Sequence, residues 1–278
     1  MNTKRFDGKA VYQPSGKAAE YSPWACNFYT GCSNNCEYCY CKRGVLSHVW
    51  TTMPSLKKCF RDEHHALEVF SVELERALRE HPSIKEHGIL FSFTTDPMLP
   101  ETLDLTMTAT GLAVLSGVPV KILTKRTDWL DSLRWACMMP ILHRNKVAFG
   151  FTLTGSDEKE PGASSNRERI KAMRKVYDMG FRTFASIEPV IKVEVSYAMI
   201  NAISGWCDLI MVGLLSGKKE YGKDGVSFLY EMIKQDRRGS KFYLKDSLVE
   251  FIGLDRDKLP DHFVTSDYNM FEQHEEKE

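Results

Sequence analysis

Six short apolar runs, each followed by a polar cluster and then by a stretch of helical spacing, constrain this chain more than any other pattern in it. The runs fall at 25–30, 88–94, 119–124, 147–153, 182–187 and 208–213. Ile89-Leu90-Phe91 and Val147-Ala148-Phe149 are continuously apolar rather than alternating, which suits parallel strands covered on both faces. Leu67, Phe70, Leu74 and Leu78 give a helix over 63–80, and Ile170, Met173, Val176 and Tyr177 another over 166–179, with Gly180 as its stop. Further helices are expected near 103–116, 128–137, 193–204 and 226–236, and 241–244 is a candidate closing strand. Strands alternating with helices require a parallel sheet with right-handed crossovers. What remains after the arm, the cysteine loop and the tail is short for an eight-fold barrel of about 250 residues. The fold class is therefore read as α/β: a single domain with an open, partial barrel of six β/α units.

A chain of 278 residues, 43% of them hydrophobic, supports one large core. With 37 basic and 37 acidic residues it is not a non-specific polyanion binder. Its three basic clusters read as solvated faces: Lys57, Lys58 and Arg61; Lys121, Lys125 and Arg126; Lys234, Arg237, Arg238 and Lys241. No apolar run approaches the roughly 18 residues of a membrane span, so no membrane partner is expected. The eight cysteines lack a framework spacing and no apolar signal sequence precedes them, which reads as a reduced, cytoplasmic protein. Residues 1–20 are expected to be an arm, wrapped or disordered, residues 21–245 the core, and 246–278 a helix followed by an acidic, frayed tail from about Ser266.

Three of the cysteines form a tight run, Cys32-Ser-Asn-Asn-Cys36-Glu-Tyr-Cys39. Three thiolates this close can hold three irons of a 4Fe–4S cluster and leave the fourth open, and an open position is where metal chemistry occurs. Spacings of three and then two differ from the paired two-residue spacing of common zinc sites. A structural zinc with Cys26 or Cys41 as fourth ligand is the alternative, giving a zinc-stabilised nucleic-acid-binding protein without catalysis. In barrels of parallel strands the reactive groups sit at the carboxyl ends of the strands. Polar residues gather there in this chain: Thr94-Thr95-Asp96, Thr124-Lys125-Arg126, Thr152 with Thr154, Ser186 with Glu188-Pro189, and Gly213 to Ser216.

The cysteine run is the signature of the radical S-adenosylmethionine (SAM) superfamily, which this chain resembles from residue 21 to roughly residue 215. Within it, Thr95-Asp96-Pro97, Thr124-Lys125 and Glu160-Pro161-Gly162, followed by Arg167 and Arg169, occur in the order found in the spore photoproduct lyase-like group. The resemblance implies a partial (β/α)6 radical SAM barrel. It further implies a 4Fe–4S cluster on Cys32, Cys36 and Cys39, SAM as cofactor, and reductive cleavage of SAM to a 5′-deoxyadenosyl radical. Tyr38 would lie near the adenine; Thr94, Thr95 and Asp96 near the methionine amino group; and Lys125 near its carboxylate, a charge-matched contact. Thr152 is a further cofactor contact, and Glu188 binds ribose hydroxyls or a substrate group, unless it pairs with Lys125 or Arg169.

An electron donor such as flavodoxin or ferredoxin is implied, and a nucleic-acid substrate is the first expectation, with a peptide or small molecule as the alternative. The chain departs from the group at Met98 and Leu99, where an aromatic residue and Gln are usual, and Cys59 does not match the group's hydrogen-donating cysteine. Tyr29 and Tyr40 are read as structural rather than as hydrogen-atom relays, and His64 and His65 as surface residues. No cysteine follows Cys207, so a second cluster of the kind carried by peptide-modifying relatives is not expected. The sequence assigns no role to Cys26, Cys41, Cys59, Cys137 or Cys207 and no catalytic residue.

Overall fold

The computed structural model describes residues 5–43, 46–140, 142–217 and 221–272. Its main sheet has the order β1 (Val11–Tyr12), β2 (Ala25–Cys26), β5 (Ile89–Phe91), β6 (Val120–Thr124), β7 (Val147–Thr152), β8 (Arg182–Val190), β9 (Leu209–Leu214) and β10 (Lys241–Leu244). Every pairing from β2 to β10 is parallel, and β1 adds antiparallel at one end. The expected single domain with an open parallel barrel is therefore present, with 241–244 as one parallel strand beyond the six units. The run at 25–30 is two strands rather than one. Ala25–Cys26 stays in the sheet, whereas β3 (Tyr29–Thr30) turns out and pairs antiparallel with β4 (Ser55–Leu56). That departure takes the chain off the barrel rim just before the cysteines.

The outer layer comes from α1 (Glu63–Glu80), α2 (Ile84–His87), α3 (Leu103–Leu115), α4 (Leu133–Met138), α5 (Asn166–Asp178), α6 (Val193–Ile203), α7 (Lys223–Lys234) and α8 (Asp246–Ile252). Asp62 caps α1 through His65 N, and Ser165 with Glu168 forms a reciprocal capping box on α5, satisfying orphan amides at both starts. The expected helix at 128–137 is shorter, because a 3₁₀ turn over Asp128–Asp131 precedes α4. No described helix is long and apolar enough to cross a membrane.

Alternate residues of each strand serve two cores. Ile89, Val120, Ile122, Phe149, Ala185 and Val212 face the helices, while Leu90, Ala148, Phe184, Leu209, Met211 and Tyr243 fill the barrel. Gly150 is required here: a Cβ on it would meet the Phe184 ring at 2.2 Å, so the ring crosses the barrel only over a glycine.

The amino end of the barrel is plugged from below by the C-terminal segment. Phe242 N donates to His262 O and Val264 N to Phe242 O, laying 262–264 along β10. Met270 is then 4% exposed inside the barrel, with Val264, Tyr268 and Phe271 against the same core. The tail expected to fray from Ser266 is thus packed through Tyr268, Met270 and Phe271; residues 273–278 of that tail lie outside the described residues. Lys121, expected on a solvated face, faces inward instead: it is 7% exposed, donates to Tyr21 O and lies 6.0 Å from the Phe271 ring. The arm wraps rather than strays, with Glu73 accepting the backbone N–H groups of Lys9, Ala10 and Val11 at 2.7–2.9 Å.

Candidate active site at the carboxyl ends of the strands

A cavity of about 1050 Å³ opens at the carboxyl ends of the strands. Cys32, Cys36, Cys39, Tyr38, Thr94, Thr95, Asp96, Lys125, Thr152 and Glu188 all line it. The residues singled out between Cys32 and Glu188 therefore meet on one surface, a juxtaposition set by parallel strands of matched register.

The cysteine loop is held from three sides. Cys32 N donates to Thr51 O at 3.0 Å, Glu37 N to Lys159 O at 2.9 Å, and Asn34 Nδ2 to Asp96 Oδ2 at 2.7 Å. Gly162 N donates to Asn34 O at 3.1 Å, and a Cβ on Gly162 would stand 2.1 Å from Ser33 O. The glycine of the Glu160-Pro161-Gly162 motif is thus the point where two backbones touch. Burial pushes the Cys32 thiol up to about 12 and raises Cys36 as well. A hydrogen bond from Cys41 lowers the Cys39 thiol and raises that of Cys41.

Asp96 is the bracket of the site. Oδ1 accepts from Met98 N at 3.0 Å and Thr124 Oγ1 at 2.7 Å; Oδ2 accepts from Asn34 Nδ2 and from Lys125 N, both at 2.7 Å. All of its strong acceptor positions are thereby engaged, so its carboxylate ties the cysteine loop to the ends of β5 and β6. Thr94 Oγ1 donates to Tyr29 O at 2.5 Å, which leaves Thr95 Oγ1, buried and without a partner, facing the site.

A buried pair supports the next wall. Arg169 on α5 is fully buried; it bonds Glu160, Ser164 O at 2.9 Å and Thr152 O at 2.5 Å, and the other Glu160 oxygen accepts from Tyr38 OH. Isolated, either charge would be costly here; together they anchor the ring beside the third cysteine. Burial, then Glu160, holds the Tyr38 phenol protonated. Lys125 Nζ lies 5.6 Å from the Tyr38 ring. Burial works against its charge, but Cys36 and Glu160 outweigh it and its pKa is raised.

Glu188 pairs with neither Lys125 nor Arg169. Its Oε2 accepts from Tyr21 OH at 2.6 Å and lies 3.4 Å from Lys245 Nζ, which also meets Glu20 at 3.4 Å and donates to Lys17 O at 2.8 Å. Tyr21 OH is also 2.6 Å from Ser186 Oγ, and Lys245 Nζ lies over the Tyr21 ring at 3.8 Å. The sequence reading missed Tyr21 and Lys245. Lys245 follows β10 as Lys125 follows β6, so the rule that polar groups follow each strand, applied to the candidate strand at 241–244 as to the other six, points to it; Tyr21 carries no such signal. Among the tyrosines read as structural, Tyr29 OH donates to Glu63 Oε1 at 2.7 Å and Tyr40 OH to Phe93 O.

Four free thiols, those of Cys32, Cys36, Cys39 and Cys41, border the cavity with a buried unpaired Asn34 Oδ1 and a buried unpaired Thr95 Oγ1, and the three of the motif fit a thiolate-held cluster with the two oxygens free for a polar ligand. Among the described residues no three His, Cys, Asp or Glu side chains converge on one ion position.

No protein-family model matches the chain, and no curated protein matches its sequence. Among solved structures, the fold is similar to spore photoproduct lyase. A mutant with bound AdoMet and dinucleoside spore photoproduct matches with a TM-score of 0.56 at 16% identity, over 85% of this chain and 65% of the other. A second mutant matches with a TM-score of 0.53 at 16% identity, over 93% and 65%. SuiB of Streptococcus suis bound to S-adenosylmethionine follows at 0.48 and 14%, over 79% and 51%. The chain spans about 65% of the length of the spore photoproduct lyase chains. What is shared with the spore photoproduct lyase structures is the fold, an open barrel of parallel strands covered by helices.

Proposed function

We propose that the chain is a radical SAM enzyme. Cys32, Cys36 and Cys39 would hold a 4Fe–4S cluster, with SAM in the same cavity. The observation that carries this reading is the meeting of the three motif cysteines with Tyr38, Thr95, Lys125, Thr152 and Glu188 around one cavity at the strand ends. When bound, the two cofactors supply one-electron cleavage of a sulfonium bond to methionine and a 5′-deoxyadenosyl radical.

The chain's own residues then bind, orient and exclude water. Lys125 places a cation for the SAM carboxylate, and its raised pKa keeps it charged. Thr95 Oγ1 and Asn34 Oδ1 offer unspent hydrogen-bonding atoms to the amino-acid end. Tyr38, pinned by Glu160, presents a fixed ring to the adenine, and the oxygens of Glu188 serve the ribose or the substrate. Asp96 positions rather than touches.

A nucleic-acid substrate is the finer reading. Arg5, Lys17 and Arg43 line the cavity together with Tyr12, Tyr40 and Trp50, cations for phosphate and rings for stacking bases. The volume lies at the top of the range of about 300–1,000 Å³ usual for small-ligand sites, room for a cofactor with a second group beside it.

Anaerobic reconstitution tests the class. About four irons per chain, and 5′-deoxyadenosine released when the reduced protein meets SAM, are expected. One zinc per chain with no colour, or a cluster whose reduction yields no 5′-deoxyadenosine, overturns it.

A further inference from the structure

The cysteines outside the motif are not alike. Cys26 and Cys207 are sealed in the interior, Cys59 and Cys137 lie open on the surface, and none of these four lines the cavity. Cys41 does line it, and the function proposed above gives it no task. Its side chain is 5% exposed, and its thiol is hydrogen-bonded to that of Cys39, a cluster ligand in that reading.

The turn that carries the two thiols is fastened at both ends. Tyr40–Lys42 is one turn of 3₁₀ helix with Cys39 at its start, closed by Lys42 N donating to Cys39 O at 3.2 Å and Arg43 N to Tyr40 O at 3.0 Å. Tyr40 OH donates to Phe93 O, and Cys41 Sγ lies 3.5 Å from the same oxygen. Lys42 Nζ donates to Asn35 O at 3.0 Å and to Asn35 Oδ1 at 2.7 Å, which ties the turn back to the loop between Cys32 and Cys36. A single residue in helical conformation sets the Cα atoms on either side of it roughly 5–5.5 Å apart. That falls inside the range of about 4.4–6.8 Å that a disulfide spans. Cys36, the other near neighbour, spends its thiol on Asn34 O at 3.9 Å.

Resting on the reading of Cys39 as a cluster ligand, we propose that Cys39 and Cys41 form a thiol–disulfide latch that decides whether the site can be loaded. In the metal-free chain a small-molecule disulfide closes it. One thiol attacks the oxidant, whose first half leaves as a thiol; the other thiol then attacks the mixed disulfide, the Cys39–Cys41 bond forms, and the second half leaves as a thiol. The two cysteines lose two electrons and two protons, and the oxidant gains both. A closed latch removes the third ligand, so cluster assembly waits on a reducing thiol pool. Strained or exposed disulfides are the reducible ones, and a bridge across one intervening residue beside an open cavity is both. A cluster already held by Cys39 keeps the latch open.

The test uses the full chain with Cys59→Ser and Cys137→Ser, so that surface thiols do not react. The metal-free protein is treated with oxidised glutathione, quenched with N-ethylmaleimide and mapped by peptide mass spectrometry. A Cys39–Cys41 disulfide is expected; iron uptake in anaerobic reconstitution falls to background and returns after dithiothreitol. With Cys41→Ser added, reduced protein takes up iron as before, and the oxidant leaves glutathione on Cys39 instead. The cluster-loaded chain, treated without air, forms no such bridge. A Cys36–Cys39 bridge, glutathione retained on Cys39 while Cys41 is present, or undiminished iron uptake after oxidation overturns the proposal. So does loss of iron uptake in reduced Cys41→Ser protein, which would make Cys41 a ligand. Failure of the underlying function reads differently: the bridge forms and opens as expected, yet the fully reduced chain assembles no 4Fe–4S cluster.

Discussion

At the amino ends of the strands the barrel is filled by Leu90, Ala148, Phe184, Leu209 and Tyr243. Two or four residues further along the same strands stand Ser92, Thr152, Ser186, Gly213 and Lys245. Below, the C-terminal segment completes the packing with Met270 and Phe271; above, no apolar segment among the described residues closes the barrel, and about 1050 Å³ stays open. One set of strands thus builds a stability end and a chemical end, and the division runs across every strand rather than between domains. The lower end gains free energy by excluding water. The upper end holds buried charges in place through paired networks, Glu160 with Arg169 and Glu20 with Lys245 and Glu188, and through the four hydrogen bonds to Asp96.

If the two ends are separable, changes at one should leave the other's readout alone. The largest effect is expected for Cys32→Ala, Cys36→Ala or Cys39→Ala: iron incorporation and 5′-deoxyadenosine formation fall to background, while the circular-dichroism melt of the metal-free protein hardly moves. A large shift of that melt would break the division. Arg169→Met should cost about 3–5 kcal/mol by stranding Glu160 in the interior, read by urea denaturation, and should also weaken SAM binding because Tyr38 loses its anchor. Unchanged stability would mean the pair is solvated.

At the lower end, Met270→Ala should cost about 2–4 kcal/mol through the cavity it leaves, with iron content and SAM affinity as in the wild type; a lost cluster would show that the plug supports the upper end too. The smallest effect, and one of opposite sign, belongs to Lys121. Burial lowers its pKa to about 8 from an ordinary 10.5. Between those values the unfolded chain binds more protons, so the penalty is full below about pH 8, shrinks as pH rises, and is gone above about 10.5. Lys121→Met should therefore stabilise the protein by about 2 kcal/mol at pH 7 and by progressively less toward pH 10.5, measured by denaturant titration at each pH. A gain that does not change with pH would show that packing rather than charge is responsible.

Much of this plan was legible beforehand. The apolar runs carried strand positions because both faces of a parallel strand are covered, and the polar residues after them marked the chemical end. The partners of the buried charges were not legible. Glu188 pairs across the barrel with Lys245 and Arg169 with Glu160, and linear spacing says nothing about which of several Lys, Arg and Glu residues at strand ends meet in space. The plug was hidden for another reason: a segment whose apolar groups are Phe263, Val264, Tyr268, Met270 and Phe271 has no regular period, so it resembles a loose tail until the barrel offers it a hole.

The order of residues by itself determined the alternation of strands and helices, the three-cysteine loop, and the side of the barrel on which polar groups collect, because these depend on local spacing and on the twist that makes crossovers right-handed. Only the tertiary structure decided which charges neutralise one another and that residues 262–271 seal the lower end. Those outcomes depend on contacts between residues far apart in the chain, and Coulomb and packing energies are set by distance and burial, which sequence separation does not encode.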